Sequence, residues 1–181
     1  MLTPAAERLL LTASRLFCED GIRGVGIDRI IAEADVAKAT LYQAFGSKEA
    51  LVVAHLERRD EDDRAAYLAA VADLPEGEER LFASFDLAAR RTEADGFIGC
   101  VYLNALNEFP EQDEPIALAV RRHRDWVRSR WIDALAGRAD AERIADEAQL
   151  AYDGALLGSK VVHSAAPVRL AGEVVRARVA R

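Results

Sequence analysis

Residues 26–51 read GIDRIIAEADVAKATLYQAFGSKEAL, and this stretch decides the fold. Ile27, Ile30, Ile31 and Ala34 recur at helical spacing, so the pattern predicts a short helix from about Ile27 to Ala34. Asp35-Val36 makes a tight turn, and a second short helix follows from about Ala37 to Ala44. Two short helices joined so closely have helix-turn-helix geometry, in which the second helix enters the DNA major groove. In that second helix Leu41 and Phe45 share one face, which must pack on Ile30, Ala34 and Val36. At ~100° per residue, Ala39 and Gln43 then point most directly away, flanked by Thr40 and Tyr42. A small, polar outer strip of this kind suits contact with base edges. Lys38 and Lys48 stand at helix starts where they meet phosphates, and the open N–H groups of the helix capped by Ser47 offer a further phosphate site.

Working outward, Thr3-Pro4 reads as a helix start, with Thr at the N-cap and Pro at the first helical position. Leu9, Ala13, Leu16 and Phe17 continue that helix to Gly21. Beyond Gly46-Ser47 a long amphipathic helix runs through Leu51, Ala54, Leu68 and Val71 to about Ala72. Further helices are predicted at about Glu78–Thr92 and Gly99–Glu108. After an acid-rich turn from Phe109-Pro110 to Pro115 come helices at about Ile116–Ala136, Ala141–Ser164 and Val168–Ala180. The last two are separated by Ala165-Ala166-Pro167. Long Val/Ile/Thr alternations are absent, so the expectation is an all-α protein of about nine helices. It divides into a three-helix helix-turn-helix domain, residues 1–47, and a six-helix ligand-binding and dimerisation domain, residues 48–181.

Thr40-Leu41-Tyr42, then Phe45-Gly46-Ser47-Lys48-Glu49 and Leu51, resembles the signature of the TetR/AcrR family of repressors. Ile30, Ala34-Asp35-Val36, Lys38 and the Gly21-Ile22 ending also fit that family's DNA-binding domain. The likeness covers roughly residues 5–55, and GCVYLNALNEFP (99–110), with Pro115 and Val120-Arg121, is similar to the C-terminal domain of one branch. By that resemblance Lys38, Thr40, Tyr42, Gln43 and Lys48 fall where the family contacts DNA, with Ala39 beside them on the outer face. The sequence departs from the pattern at Gly26 and Ala37, where capping hydroxyls are usual. It departs again at Asp35, which replaces a turn glycine, and at Ala44, which replaces an aromatic or His.

Charge is divided unevenly along the chain. Residues 1–59 hold eight Lys/Arg and eight Asp/Glu; the net charge of −7 lies wholly in residues 60–181. A neutral module can present a basic face to phosphates, while an acidic body disfavours non-specific attachment to DNA. No apolar run approaches the ~20 residues that span a bilayer, and the N-terminus carries no basic-then-apolar leader, so a cytoplasmic protein is expected. Cys18 and Cys100 make neither a disulfide framework nor a CxxC site, and His55, His123 and His163 show no ligand spacing, so neither metal nor cofactor is expected. Walker A, GxGxxG, GxSxG and HExxH motifs are missing, which speaks against an enzyme.

In the second domain Phe82, Phe85, Tyr102, Trp126 and Tyr152 suit an apolar pocket, with Asn104 and Asn107 as polar groups for a small-molecule effector. Ordinary packing between helices is the alternative reading of each of them. His123, among Arg121, Arg122 and Arg124, reads as a surface residue. Ala151, Gly154, Ala155 and Gly158 form a small-residue face on the penultimate helix. The resemblance implies that the last two helices form a homodimer interface, which adds Val174. The expected partners are therefore a double-stranded, pseudo-palindromic operator, a second copy of the chain and an unidentified effector. An all-helical binding protein or enzyme on a helix-turn-helix scaffold, and an activator or nucleoid-type binder without a ligand, remain as alternatives.

Overall fold

A computed structural model of the chain describes residues 2–94, 96–109 and 114–181. Among the described residues there are nine helices and no strand. They are α1 (Pro4–Asp20), α2 (Ile27–Ala34), α3 (Lys38–Ala44), α4 (Lys48–Val71), α5 (Glu79–Thr92), α6 (Val101–Glu108), α7 (Pro115–Ala134), α8 (Ala141–Val162) and α9 (Ala166–Val179). The chain forms two compact units, Met1–Glu61 with Val101–Arg121, and Asp62–Cys100 with Arg122–Arg181. Helices α4 and α7 each begin in the first unit and end in the second.

In the first unit the start of α1 is fixed by Thr3, whose Oγ1 accepts from the Ala6 N–H at 3.3 Å, with Pro4 in the first turn. Gly21 stops the helix at φ +79°, a conformation most residues avoid. Leu9, Leu16, Ile30, Leu41 and Leu51 are all 0% exposed and come from α1, α2, α3 and α4. Each such burial stabilises by ~1.5–3 kcal/mol, and together they fix how the two short helices lie on α1. Isolated helices of seven or eight residues are not stable in water, so α2 and α3 exist because of this packing. Asp35 ends α2 in the left-handed region (φ 50°, ψ 58°), the conformation that turns the chain into α3. Neither Gly26 nor Ala37 supplies a capping side chain.

In the second unit α8 packs along α9, and α5 packs against both. Its core is aromatic: Phe85 and Trp131 stack with centroids 6.0 Å apart, and Tyr152 meets both edge-on at 5.3 and 5.7 Å. The buried Trp131 indole N–H donates to Ser84 Oγ at 2.9 Å, so the ring's one polar atom is satisfied. Trp131→Ala would cost ~3–5 kcal/mol.

Several boundaries differ from the sequence expectation. Ala166 and Pro167 open α9 instead of separating it from α8, because proline lacks only an N–H that the first turn leaves unbonded anyway. Gly99, at φ +91°, lies before α6, and His163, at φ +49°, caps α8 directly after Val162. Pro115 belongs to α7, whereas Asp95 and Pro110–Asp113 lie outside the described residues. Leu68, assigned to the inner face of α4, is 56% exposed, while Tyr67 and Val71 are the buried residues of that end.

Candidate nucleic-acid interface

Helix α3 is anchored from below and open above. Leu41 is fully buried and Phe45 half-buried, while Ala39, Tyr42, Gln43 and Ala44 are exposed and Thr40 is half-buried. Tyr42 presents 48% of its surface, enough to bring its hydroxyl to a partner in solution. Lys38 Nζ lies 3.0 Å from Asp28 Oδ1 on α2, and the carboxylate raises the ammonium's pKa above the usual lysine value. Both side chains are solvated, so the pair is weak and readily exchanged for a phosphate.

The next helix start is built differently. Gly46, at φ +83°, reverses the chain, and Ser47 Oγ accepts from the Ala50 N–H at 3.1 Å, capping α4. Lys48 is half-buried there; burial lowers its pKa, while the carboxylates of Glu108 and Glu49 act in the opposite direction. Glu108 also accepts the backbone N–H groups of Ile22 and Arg23, at 2.9 and 2.6 Å, and the Arg23 guanidinium lies 5.2 Å above the Phe109 ring. The last residues of α6 thus hold the turn that leads from α1 into α2. Sequence reasoning missed Glu108, because its partners lie 86 and 85 residues away and leave no local signature. On the outer side of α1 and α2, Arg15 bridges Glu19 and Glu33 at 2.7 and 2.5 Å, and Arg29 bridges Asp20 and Glu33 at 2.6 and 2.8 Å. These pairs tie the supporting helices together, leaving α3 as the face with a small, polar surface.

Comparison with known proteins bears on this geometry. The profile of the bacterial regulatory proteins of the tetR family matches residues 9–55, the stretch from α1 into α4. The solved structure of a TetR-family transcriptional regulator from Streptomyces coelicolor is 34% identical, covering 98% of this chain and 96% of that one with a TM-score of 0.89. The chain belongs to the TetR family.

Members of this family are transcriptional regulators rather than enzymes. An HTH-type transcriptional regulator from Mycobacterium tuberculosis is 35% identical over 86 residues, which is 48% of this chain but only 43% of that protein. The chain therefore matches less than half the length of that relative. The Escherichia coli transcriptional repressor NemR is 42% identical over 52 residues, 29% of this chain and 26% of NemR. The solved structure of its reduced form shares the fold, with a TM-score of 0.83 at 23% identity over 96% of this chain and 95% of that one.

The second unit of this TetR-family regulator contains a half-open cavity of about 50 Å³. Trp126 and Tyr152 line it, together with Tyr67, Ser84, Leu87 and Val127, and four titratable side chains: Asp63, Arg91, His123 and Arg130. Asp63 pairs with Arg91 at 2.5 Å. Phe82 and Phe85, the other aromatics assigned to a pocket, are 3% exposed and belong to the core, with Arg176 stacked over Phe82. Tyr102, Asn104 and Asn107 lie on α6 in the first unit, respectively buried, half-buried and exposed, and none of them lines this cavity. His123, read as a surface residue, is in the cavity wall. Neighbouring arginines in sequence hid it, because on a helix adjacent residues face different directions.

Helices α8 and α9 carry most of the exposed large apolar side chains of this unit. Leu150, Leu157, Val161, Val162, Leu170 and Val174 are between 56% and 76% exposed. Val174 was among the interface candidates; Gly154 is exposed with open space beside it, and Ala151 is half-buried against the core. Ala155 and Gly158 turn inward instead. Ala155 is 7% exposed in the core, and a Cβ on Gly158 would stand 3.3 Å from Pro167 Cβ of the chain's own α9. The missing side chain at Gly158 lets α8 and α9 approach each other within one chain.

Proposed function

We propose that this TetR-family regulator is a transcriptional repressor that binds a pseudo-palindromic operator as a homodimer and is released by a small-molecule effector. The observation that carries the reading is α3, whose outer face of Ala39, Tyr42 and Gln43 stands open while Leu41 is 0% exposed beneath it. In this reading residues 1–47 dock on DNA in the cytoplasm and residues 48–181 sense and dimerise. Gln43 and Ala39 face base edges; Lys38, Thr40, Tyr42 and Lys48 hold phosphates and set the register. The likeness of a 52-residue stretch of the chain to the repressor NemR supports repression over activation.

A second copy is argued from α8 and α9. Large apolar side chains clustered on one helix pair are unfavourable in water, and a self-complementary two-fold contact covers both copies at once. Two recognition helices then reach successive major grooves, about 10 base pairs apart or a multiple of that. The effector occupies the cavity of the second unit. Its signal travels through α4 and α7, which begin in the first unit and end in the second. Effector and operator are then linked by a coupling free energy, each weakening the other. Selection of bound duplexes from random DNA with the purified full chain tests the proposal. An enriched inverted repeat supports it, and enrichment of unrepeated or random sequence overturns it.

A further inference from the structure

We infer that the effector is a compact organic monoanion, a carboxylate of about the size of benzoate, recognised by Arg130 and admitted past Arg130 and Tyr67. This rests on the reading of the second unit's cavity as the effector site.

Size is the first argument. The cavity measures about 50 Å³. That is roughly four times the ~10–15 Å³ that holds one water, and well below the ~300–1,000 Å³ of pockets for drug-sized ligands. The cavity is about half open, so a short chain or a single ring seats its polar end inside and keeps the rest of its body at the opening.

Charge is the second. Of the ionised groups in the wall, Asp63 and Arg91 neutralise each other at 2.5 Å. The remaining fixed charge is the Arg130 guanidinium. Its Nη2 reaches Asp133 at 2.8 Å, but that carboxylate's side chain is 62% exposed and solvent screens the pair. Its Nε is buried and has no hydrogen-bond partner among the described residues. A buried guanidinium donor left unmatched is unfavourable, and a carboxylate oxygen is the acceptor that suits it best. A cation in the same place would face the Arg130 guanidinium, while Asp63 is already matched by Arg91. The phenols of Tyr67 and Tyr152 are held above the ordinary tyrosine pKa by burial, so both stay protonated and able to donate. Trp126, Val127 and Leu87 supply the apolar wall for the body of the ligand.

Access is the third. Tyr67 and Arg130 also line an open cleft of about 570 Å³ that runs past Val71, Gly77 and Arg80. The two side chains border the cleft and the cavity alike. In the cleft Arg80 is pinned by the carbonyls of Leu74 and Pro75, at 2.9 and 3.1 Å, which holds a second guanidinium at the mouth. Glu76 and Asp133 are the acids there, both exposed to solvent.

The test uses the full-length protein and three probes of one shape, benzoate, neutral benzamide and cationic benzylamine, at constant ionic strength near neutral pH. The chain's two tryptophans report directly, since Trp126 lines the cavity and Trp131 donates to Ser84 of the same wall. Saturable quenching by benzoate, with an affinity roughly tenfold or more above that of benzamide and benzylamine (~1.4 kcal/mol), supports the inference. Arg130→Gln, with its helical circular dichroism intact, should bring benzoate down to the level of benzamide. Benzamide or benzylamine binding as tightly as benzoate overturns the anion assignment while leaving the effector site standing. A folded Arg130→Gln that binds benzoate like the parent overturns the role of Arg130. If no probe of any charge binds and none changes operator affinity, the effector-site reading itself falls and this inference with it. The comparison of probes on the parent protein decides the matter even where the variant does not fold.

Discussion

His55 makes the stability of the first unit depend on pH in a way that can be worked out in advance. Its ring is 7% exposed on α4, its Nδ1 lies 2.9 Å from Ser14 Oγ, and it meets Phe17 edge-on at 5.7 Å. Burial, with a smaller contribution from the Arg59 charge, lowers its pKa from 6.5 to about 4. The folded state therefore holds the neutral ring, while the unfolded chain takes up a proton at higher pH. The stability this represents is fully present above pH 6.5 and is lost as pH falls through about 4. At pH 5 the loss is about 2 kcal/mol, out of a ceiling of about 3 kcal/mol. For a chain of this length that lowers Tm by roughly 4–8 °C. Glu33, Glu79, Asp140 and Asp146 are held below their ordinary carboxylate pKa by arginine partners, so their contributions fade at lower pH and do not obscure the step. Thermal unfolding of the parent and of His55→Gln, each at pH 7 and pH 5, isolates the effect. The parent should lose stability over that interval by the amount given, and the variant should lose much less. Equal slopes in the two proteins would refute the assignment.

Three further outcomes follow from the geometry. Leu157→Arg, at a side chain 63% exposed on α8, should convert the dimer into a 19.8 kDa monomer in sedimentation and weaken operator binding in parallel; an unchanged dimer would place the interface elsewhere. This is a cleaner probe than Gly158→Leu, because a side chain there strikes the same chain's Pro167. Lys48→Ala should weaken binding to all duplexes alike and reduce the salt slope by about one phosphate contact; a changed base preference with an unchanged slope would contradict that role. Glu108→Ala removes two charge-assisted acceptors from the turn before α2. At ~1.5–3 kcal/mol for a hydrogen bond to a charged group, it should loosen the first unit measurably in hydrogen exchange at Ile22 and Arg23, and unchanged protection there would show that the contact holds nothing.

What was legible in the sequence, and what was not, divides along the range of the interactions. The helix-turn-helix was readable because its determinants are local: the spacing of Ile30, Ala34, Leu41 and Phe45, and an Asp at the turn that takes the left-handed conformation. Helix ends were readable to within a few residues, and Pro167 misled because one residue type both stops helices and opens them. The cavity was not readable. Phe82, Phe85, Trp126 and Tyr152 carry the same apolar signal, yet the first two fill the core and the last two line a space. Only the packing of one helix on another separates those outcomes. Arg130, Arg91 and Asp63 were invisible for the same reason, since each reads alone as a solvated charge. On α8, small residues signalled close approach correctly but did not say to what; at Gly158 the neighbour is α9 of the same chain.

Gln43 stands on the outer face of α3, the face proposed to read DNA. Its amide is exposed near the middle of that face, and on the proposed reading it would pair bidentately with adenine, a contact of ~1–3 kcal/mol of discrimination. The decisive measurement is the affinity of parent and Gln43→Ala proteins for the selected operator, its single-base variants and an unrelated duplex, all at one salt concentration. The account predicts a loss of ~10-fold or more on the operator, a relaxed preference at one base position in each half-site, and unchanged affinity for the unrelated duplex. Unchanged operator affinity with the base preference intact at every position, or an equal loss on operator and unrelated duplex, would contradict it.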